Sequence, residues 1–385
     1  MAGGYVFWAP PTILTGAGCS EKVGEEAKKL GGRRALLVTD QGLAKTDIPG
    51  RIGQSLEAAG LGVEVFSDLA SEPLIPDVEA GLERLRSADC DLLVAAGGGS
   101  AIDTAKAIAL TATNPVPFRE FPAAITSRKL PLIAVATTAG TGSEATRVTV
   151  ITDPVTKVKM NPGSPHIVPE VAVVDPTLML GMPPAVTAST GMDALTHAIE
   201  AYLSRKAQPM TDCLALQAIA EIAEWLPQAW ANGGDLEARS HMAMASLMGG
   251  LAFSNASTNI VHAMARPLGV YFNVPHGLAN AVLLAECLEF SLPGNPKRFA
   301  AVAKAMDKNV AHLPTMEAAA QAVAAVRELC QVIEIPRLSQ VGVAPEALRE
   351  VVGQMSRDAV ASGAVALNPR VATAAQVEEL FLKSL

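Results

Sequence analysis

The sequence lacks the features that mark several classes of protein. It has no basic run, and its 30 Lys and Arg against 38 Asp and Glu leave a net charge of −8. Nucleic acid and anionic membranes are therefore poor partners. No apolar stretch reaches the about 20 residues of a membrane-spanning helix, and the N-terminus lacks the charged-then-apolar order of a signal peptide.

Cysteine is scarce and shows no pairing pattern. The five cysteines are odd in number, scattered, and never arranged as C-x-x-C; they are Cys19, Cys90, Cys213, Cys287 and Cys330. A disulfide framework and a zinc knuckle both require closer, paired spacing. The pattern predicts reduced core thiols in a cytoplasmic protein.

Apolar residues are abundant, at 50% of the chain against 18% charged residues. This composition provides for large buried cores and argues against disorder. Because 385 residues exceed the size of one core, we expect two domains, residues 1–180 and residues 181–385. A Pro- and Gly-punctuated linker near residues 175–184 separates them.

The first half alternates short apolar runs with helical stretches. The runs that predict strands are 35–40, 62–66, 91–96, 131–136 and 171–174. Continuous apolar strands separated by helices are typical of a parallel sheet covered on both faces, so we expect a Rossmann-like α/β domain. Residues 147–152 and 157–160 flank Asp153-Pro154 and predict a hairpin at the edge of this sheet.

The second half is predicted to be entirely helical. Its Ala-, Leu- and Met-rich segments have helical spacing and lack strand-like runs. The predicted helices are 187–203, 210–225, 238–253, 256–268 and 316–332.

A metal site is predicted within this helical half. Asp193 and His197 are four residues apart, which places them one turn apart on one face of a helix. His262 and His276 lie downstream, also among apolar and small residues. Taken singly, each pair or histidine fits an ordinary hydrogen-bonded core residue. Together, one carboxylate and three imidazoles suit Fe(II) or Zn(II).

Three features of the first half favour a dinucleotide. Gly97-Gly98-Gly99-Ser100 follows a strand and opens a helix, where backbone N–H groups bind a pyrophosphate. Thr137-Thr138-Ala139-Gly140-Thr141-Gly142-Ser143-Glu144 follows the next strand. Asp40 ends the first strand, where a carboxylate binds the ribose hydroxyls of NAD and repels the 2′-phosphate of NADP. The alternatives are a tight turn, a solvated loop and an ordinary turn aspartate.

In this order, GGGS-x-x-D-x-x-K, TTAGTGSE, GMDALTHAIE, VHAM and PHGLANA resemble the iron-containing (group III) alcohol dehydrogenases, over nearly the whole chain. The resemblance implies the fold shared with dehydroquinate synthase, a metal in the cleft between two domains, and a homo-oligomer of at least two subunits. It implies NAD and Fe(II), with Zn(II) possible, and the metal ligands Asp193, His197, His262 and His276. The implied NAD contacts are Asp40, Gly97, Gly98, Gly99, Ser100, Asp103, Thr137, Thr138, Thr141, Ser143 and Lys159.

The activity that the resemblance implies is hydride transfer between nicotinamide and a small alcohol or aldehyde whose oxygen the metal polarises. Two other interpretations are a lyase of the dehydroquinate synthase type and a redox-silent nucleotide-binding or scaffold protein. The ligand set and the GMDALTHAIE block argue against the lyase, and the intact ligands and phosphate loop argue against a scaffold.

Arg266 departs from the pattern, since the family usually has a second histidine four residues after the third ligand. An arginine cannot serve as a general base, so the proton relay of the family is in doubt. We count Arg266 among the candidate catalytic residues because it should point toward the cleft. It either pairs with a protein carboxylate or binds the acid group of an anionic aldehyde, a carboxylate, sulfonate or phosphonate.

Overall fold

The structure is a computed structural model that describes residues 4–69, 72–121, 125–156 and 158–385. The chain forms two compact units, Trp8–Leu180 and Gly181–Leu385, and residues 4–7 belong with the second. The division falls within residues 175–184, where the sequence predicts a linker. That these units act as two functional domains stays a prediction.

The first unit is built on a parallel sheet. Its described residues form the strands β1 (Thr12–Thr15), β2 (Arg34–Asp40), β3 (Gly62–Leu69), β4 (Leu92–Gly97), β5 (Leu132–Ala136), β6 (Ile151–Asp153), β7 (Val158–Met160) and β8 (Val171–Val174). Six of them pair in the order β1-β8-β5-β4-β2-β3, all parallel. The predicted α/β fold class is confirmed. The sequence did not predict β1, a four-residue edge strand that is only partly buried.

Helices cover both faces of this sheet. They are α1 (Val23–Lys29), α2 (Ile48–Ala58), α3 (Ile75–Ser87) and α4 (Gly99–Thr113). Along β2, Leu36 and Val38 join one hydrophobic core, and Ala35 and Leu37 join the other. Successive side chains of a strand point to opposite faces, so apolar residues at every position are the consequence of burial on both sides.

The predicted hairpin exists, but not at the edge of the main sheet. Strands β6 and β7 pair antiparallel as a separate two-stranded sheet. Of the predicted first arm, residues 147–152, only Ile151 and Thr152 are in a strand, which continues into the predicted turn at Asp153. Lys157 of the second arm lies outside the described residues. The edges of the main sheet are β1 and β3, so the predicted placement was wrong.

The second unit contains helices and no strand among residues 181–385, all of which the structure describes. The helices are α5 (Pro184–Leu203), α6 (Pro209–Ala231), α7 (Leu236–Ala256), α8 (Ile260–Phe272), α9 (His276–Ser291), α10 (Pro296–Ala305), α11 (Thr315–Val332), α12 (Pro345–Ala361) and α13 (Ala374–Lys383). The predicted helix 256–268 begins later, at Ile260, because Ser257 has a φ of 72° that ends α7. No helix in the described part of the chain has the length and apolarity to cross a membrane.

Candidate functional site

Helix α5 supplies two of the predicted metal ligands from one buried face. Asp193 and His197 are 2% and 5% exposed. Close helix packing produces this burial. A Cβ at Gly191 would lie 2.3 Å from a methyl carbon of Leu226 on α6, and one at Gly249 of α7 would lie 3.3 Å from the Ala194 carbonyl oxygen. Glycine at these positions lets the helices approach α5.

Helices α8 and α9 bring the other two predicted ligands to the same place. Nε2 of His262 lies 3.6 Å, and Nε2 of His276 4.0 Å, from Oδ1 of Asp193. Ligand atoms of these three residues all lie within 4.8 Å of one another. Nδ1 of His197 is 4.0 Å from the same oxygen, and its ring stacks on His262 with centroids 4.4 Å apart. His197 is thus adjacent to the three-residue cluster.

The amide of Asn280 lies at the point where these ligand atoms converge. Its Nδ2 donates to Oδ1 of Asp193 at 2.7 Å, and lies 3.2 Å from Nε2 of His262 and 3.3 Å from Nε2 of His276. Asn280 is fully buried and one helical turn after His276 on α9. The sequence motif contained this residue, but its role was not predicted.

The start of α9 is held against α5 by the absence of a side chain. A Cβ at Gly277 would lie 2.4 Å from the Ser189 carbonyl oxygen and 3.3 Å from the Asp193 Cβ. Since the first of these contacts is with backbone, only glycine fits without displacing a helix. This close approach places His276 beside Asp193.

The charges of the cluster favour an ionised carboxylate. Burial alone would raise the pKa of Asp193, but His197, His262 and His276 together hold that pKa well below its usual range. Burial also acts to lower the pKa of His262, but hydrogen bonds to Asp193 and Glu200 raise this pKa to about 9. An anionic oxygen surrounded by imidazoles is a site that favours a cation.

A second carboxylate lies behind His262. Oε2 of Glu200 is 2.7 Å from Nδ1 of His262, and Oε1 accepts the Val261 backbone N–H at 2.7 Å. Glu200 is 2% exposed. It follows Asp193 and His197 at the i, i+4 and i+7 positions of α5, so the spacing carried a signal for it.

These residues fit a divalent metal. One carboxylate oxygen and neutral imidazole nitrogens form the mixed donor set that Fe(II) and Zn(II) accept. Nδ1 of His262 is engaged by Glu200, which leaves Nε2 directed at Asp193. The full ligand set, with His197 as the fourth member, stays a prediction.

Arg266 lies one turn after His262 on α8 and is partly buried. Burial lowers the pKa of its guanidinium, and the negative charge of Glu200 opposes this effect. Within residues 4–69, 72–121, 125–156 and 158–385, Arg266 forms no hydrogen bond or ion pair. The prediction that it pairs with a protein carboxylate therefore reduces to a longer-range attraction to Glu200.

The predicted dinucleotide motifs meet at one point of the parallel sheet. The chain runs from β2 outward to β3 and then crosses to β4 on the other side of β2. Ligands of doubly wound sheets bind at such a switch point, beyond the carboxyl ends of the strands. Asp40 ends β2 and Gly97 ends β4, and a Cβ at Gly97 would lie 3.6 Å from Oδ2 of Asp40.

Other predicted contacts lie beside this point. A Cβ at Gly98 would lie 3.2 Å from Oγ1 of Thr138, and one at Gly99 would lie 3.0 Å from Cγ2 of Thr141. The glycines thus allow the loop after β5 to pack on the start of α4, and their backbone N–H groups open this helix. The Thr137 N–H donates to the Gly97 carbonyl, joining the two loops.

Asp103 and Ser143 are engaged with the protein itself. The Ser143 hydroxyl donates to Asp103, and the fully buried Lys106 donates to Ser143 at 3.0 Å and to Thr146 at 2.7 Å. Burial lowers the pKa of Lys106 to about 8 and raises that of the neighbouring Glu144 to about 7. These bonds fasten the loop after β5 to α4, and NAD contacts from Asp103 and Ser143 stay predictions.

The remaining predicted contacts are more dispersed. Ser100 lies in the first turn of α4 and is partly buried. Lys159 lies on the hairpin strand β7, where its Nζ pairs with Oε1 of Glu72 at 2.7 Å. This ion pair gives the Lys159 ammonium a partner within the protein itself. Their roles in NAD binding also stay predictions.

Comparison with known proteins covers the whole chain. Residues 10–176 match the family described as "Iron-containing alcohol dehydrogenase", and residues 187–385 match the "Fe-containing alcohol dehydrogenase family, C-terminal". The NAD-dependent methanol dehydrogenase of Bacillus methanolicus is 38% identical over 382 residues, 98% of this chain and 99% of that protein.

Two of the solved structures that resemble this chain match it over nearly the full length of both proteins. The crystal structure of a 1,3-propanediol oxidoreductase has a TM-score of 0.97 at 40% identity and covers 100% of both chains. Sulfoacetaldehyde reductase from Bifidobacterium kashiwanohense, solved in complex with NAD+, has a TM-score of 0.88 at 29% identity. It covers 100% of this chain and 99% of that one.

Proposed function

We propose that this chain, which belongs to the iron-containing alcohol dehydrogenase family, transfers hydride between NAD(H) and a small alcohol or aldehyde at a site that requires a divalent metal. The predicted family and enzyme class are confirmed. The predicted cofactors, NAD and iron, agree with the matched family and with its NAD-dependent relative. Both matched family descriptions are of alcohol dehydrogenases, which leaves the lyase and scaffold interpretations without support.

The observation that carries the proposal is the convergence of Asp193, His262 and His276 from three helices within 4.8 Å. A bound divalent metal would supply Lewis acid chemistry to the substrate oxygen. NAD would accept or return the hydride. The chain itself contributes a fixed carboxylate and two imidazole nitrogens. Because these groups are carried by helices and not by loops, their positions are held to within a fraction of an ångström.

Cofactor binding and proton exchange are assigned to other groups. Asp40 and the loop Gly97–Gly99 lie at the switch point of the sheet, where they bind the ribose and pyrophosphate of the dinucleotide. Arg266 keeps its proton at working pH, so proton exchange with the alcohol falls to solvent or to the cofactor ribose. A small neutral substrate is the first choice, because no substrate charge is needed to complete the cluster.

Reduction of an anionic aldehyde is a second candidate. Arg266 is partly buried near the cluster and forms no hydrogen bond or ion pair within the described residues. A guanidinium in such surroundings binds a carboxylate or sulfonate through two parallel hydrogen bonds. Sulfoacetaldehyde, named for the similar enzyme of Bifidobacterium kashiwanohense, is an aldehyde of this kind.

A paired substrate panel distinguishes these functions. Metal-reconstituted wild type and Arg266→His are compared for NADH oxidation with butanal and with succinic semialdehyde, which have the same number of carbons. Preference of the wild type for butanal supports the neutral substrate. If Arg266 binds the acid group, succinic semialdehyde is preferred and loses about ten- to a hundredfold in kcat/KM in the variant, the value of a charge-assisted contact.

His262→Ala serves as the control for metal dependence. It should lose bound metal and activity together while its circular dichroism spectrum is unchanged. Failure of the reconstituted wild type to oxidise NADH with a panel of short neutral and anionic aldehydes would overturn the proposed function. Full metal occupancy and turnover in His262→Ala would overturn the ligand assignment.

A further inference from the structure

Glu200 connects α5 to the start of α8 through three hydrogen bonds. Its Oε1 accepts the Val261 N–H at 2.7 Å, and its backbone carbonyl accepts Nδ2 of Asn259 at 2.8 Å. Val261 is the second residue of α8, where backbone N–H groups have no partner within the helix. A carboxylate at this end also complements the positive end of the helix dipole. Glu200 therefore acts as a cap of α8 supplied by a different helix.

The third bond concerns the metal ligand itself. Oε2 of Glu200 lies 2.7 Å from Nδ1 of His262. A carboxylate only accepts hydrogen bonds, so Nδ1 must carry the proton of this contact. Nε2, which points toward Asp193 at 3.6 Å, is then the nitrogen available to a metal. One side chain thus fixes both the position of α8 and the tautomer of His262.

We infer that Glu200 is a positioning residue for the metal centre, which holds His262 in the Nδ1-protonated tautomer and orients its Nε2 toward Asp193. The inference rests on the metal dependence that the proposed function includes. Carboxylates that hydrogen-bond a metal-ligating histidine orient the ring and raise its basicity as a ligand. The groups that face Glu200 include His262, the N-terminus of α8 and, at longer range, Arg266 and the Cys287 thiol.

Replacement by glutamine separates this role from capping alone. In Glu200→Gln, the amide oxygen still accepts the Val261 N–H, but the amide nitrogen faces Nδ1 of His262 as a donor. Nδ1 must then accept, which moves the proton to Nε2, the nitrogen that faces the metal. We expect the Zn(II) dissociation constant, measured by competition with a chromophoric chelator, to rise about 10- to 100-fold with little change in Tm.

Glu221→Gln is a matched control in the same unit. Oε2 of Glu221 lies 2.6 Å from Nδ1 of His241, a carboxylate–histidine contact of similar length whose ring stacks on Trp225. It touches none of the predicted metal ligands among the described residues. Its Zn(II) dissociation constant should equal that of the wild type.

A measurement on the wild type keeps the test valid if Glu200→Gln does not fold. In the zinc-loaded protein labelled with 15N-histidine, His262 should show a protonated Nδ1 and a metal-bound Nε2. Ligation through Nδ1, or an unchanged dissociation constant in folded Glu200→Gln, would overturn the role of Glu200 and leave the proposed function unaffected. A wild type that binds no Zn(II) or Fe(II) would instead overturn the metal dependence in the proposed function.

Discussion

At the scale of single residues, the two carboxylate oxygens of Asp40 have different surroundings. Oδ1 accepts the backbone N–H groups of Gly42 and Leu43 at 2.8 and 2.9 Å and so shapes the turn after β2. Oδ2 faces Gly97 at the end of β4. The turn-forming role and the proposed NAD selectivity are therefore not alternatives, since different oxygen atoms would perform them.

This division of labour provides a clean test of cofactor preference. Asp40→Asn keeps an oxygen for the turn but removes the charge, whereas Asp40→Gly removes both. We expect the ratio of kcat/KM for NADPH to that for NADH to rise about tenfold or more in both variants, because repulsion of the 2′-phosphate is relieved. Thermal stability should fall only in Asp40→Gly. Equal use of the two cofactors by the wild type would contradict the prediction.

Single residues also show what the sequence could reveal. Asp193, His197 and Glu200 share a face of α5 by spacing alone, and Asn280 follows His276 by one turn. The burial of Lys106 was not visible in this way, because its place inside α4 depends on acceptors in the loop after β5. A spacing rule identifies residues that share an element, but a partner from a different element requires the tertiary structure.

At the scale of elements, the proposed metal centre requires the close approach of α9 to α5. Gly277→Ala would place a methyl group 2.4 Å from the Ser189 carbonyl oxygen, a distance that real contacts do not reach. The backbone must shift, and we expect a loss of about 1–3 kcal/mol in the free energy of unfolding together with weaker Zn(II) binding. Denaturant titration and chelator competition measure the two effects.

Gly353→Ala is the control for this substitution. Gly353 lies within α12 of the same unit, and a Cβ there would lie no closer than 3.7 Å to another side chain. Alanine should stabilise this helix by about 0.5–1 kcal/mol and leave metal binding unchanged. An unaltered stability and metal affinity in Gly277→Ala would show that α9 can move without consequence for the site.

Predicting elements from the sequence succeeded where hydrophobic runs were long. Every strand of the sheet with an uninterrupted apolar run was predicted, but β1 has only four residues and lies at an edge. The break between α7 and α8 was predicted a few residues too early, because the positive φ of Ser257 has no signature in composition. The hairpin was misplaced because pairing between β6 and β7 does not determine which sheet they join.

At the scale of the whole molecule, a metal bound by the predicted ligands would join helices that are distant in the chain. Binding to the folded state alone stabilises a protein by about 2.7 kcal/mol at a hundredfold excess of ligand over Kd. For a unit of this size that corresponds to a rise of about 5–10 °C in Tm. Differential scanning fluorimetry of chelator-treated protein with and without Zn(II) measures the shift, which His262→Ala should abolish.

The absence of a shift in the wild type would contradict tight metal binding by this cluster. Two further expectations concern the molecule as a whole: assembly into a homo-oligomer and location in the cytoplasm. Both stay predictions. Light scattering on the metal-loaded protein would measure the first.

The distribution of the cluster over α5, α8 and α9 also bears on the order of folding. Asp193 is separated in the chain from His262 and His276 by α6 and α7, both of which pack on α5. We therefore expect metal uptake to be a late event of assembly, since no single helix carries the predicted ligand set. The appearance of bound ion during refolding would time the closure of the helical unit directly, without any added probe.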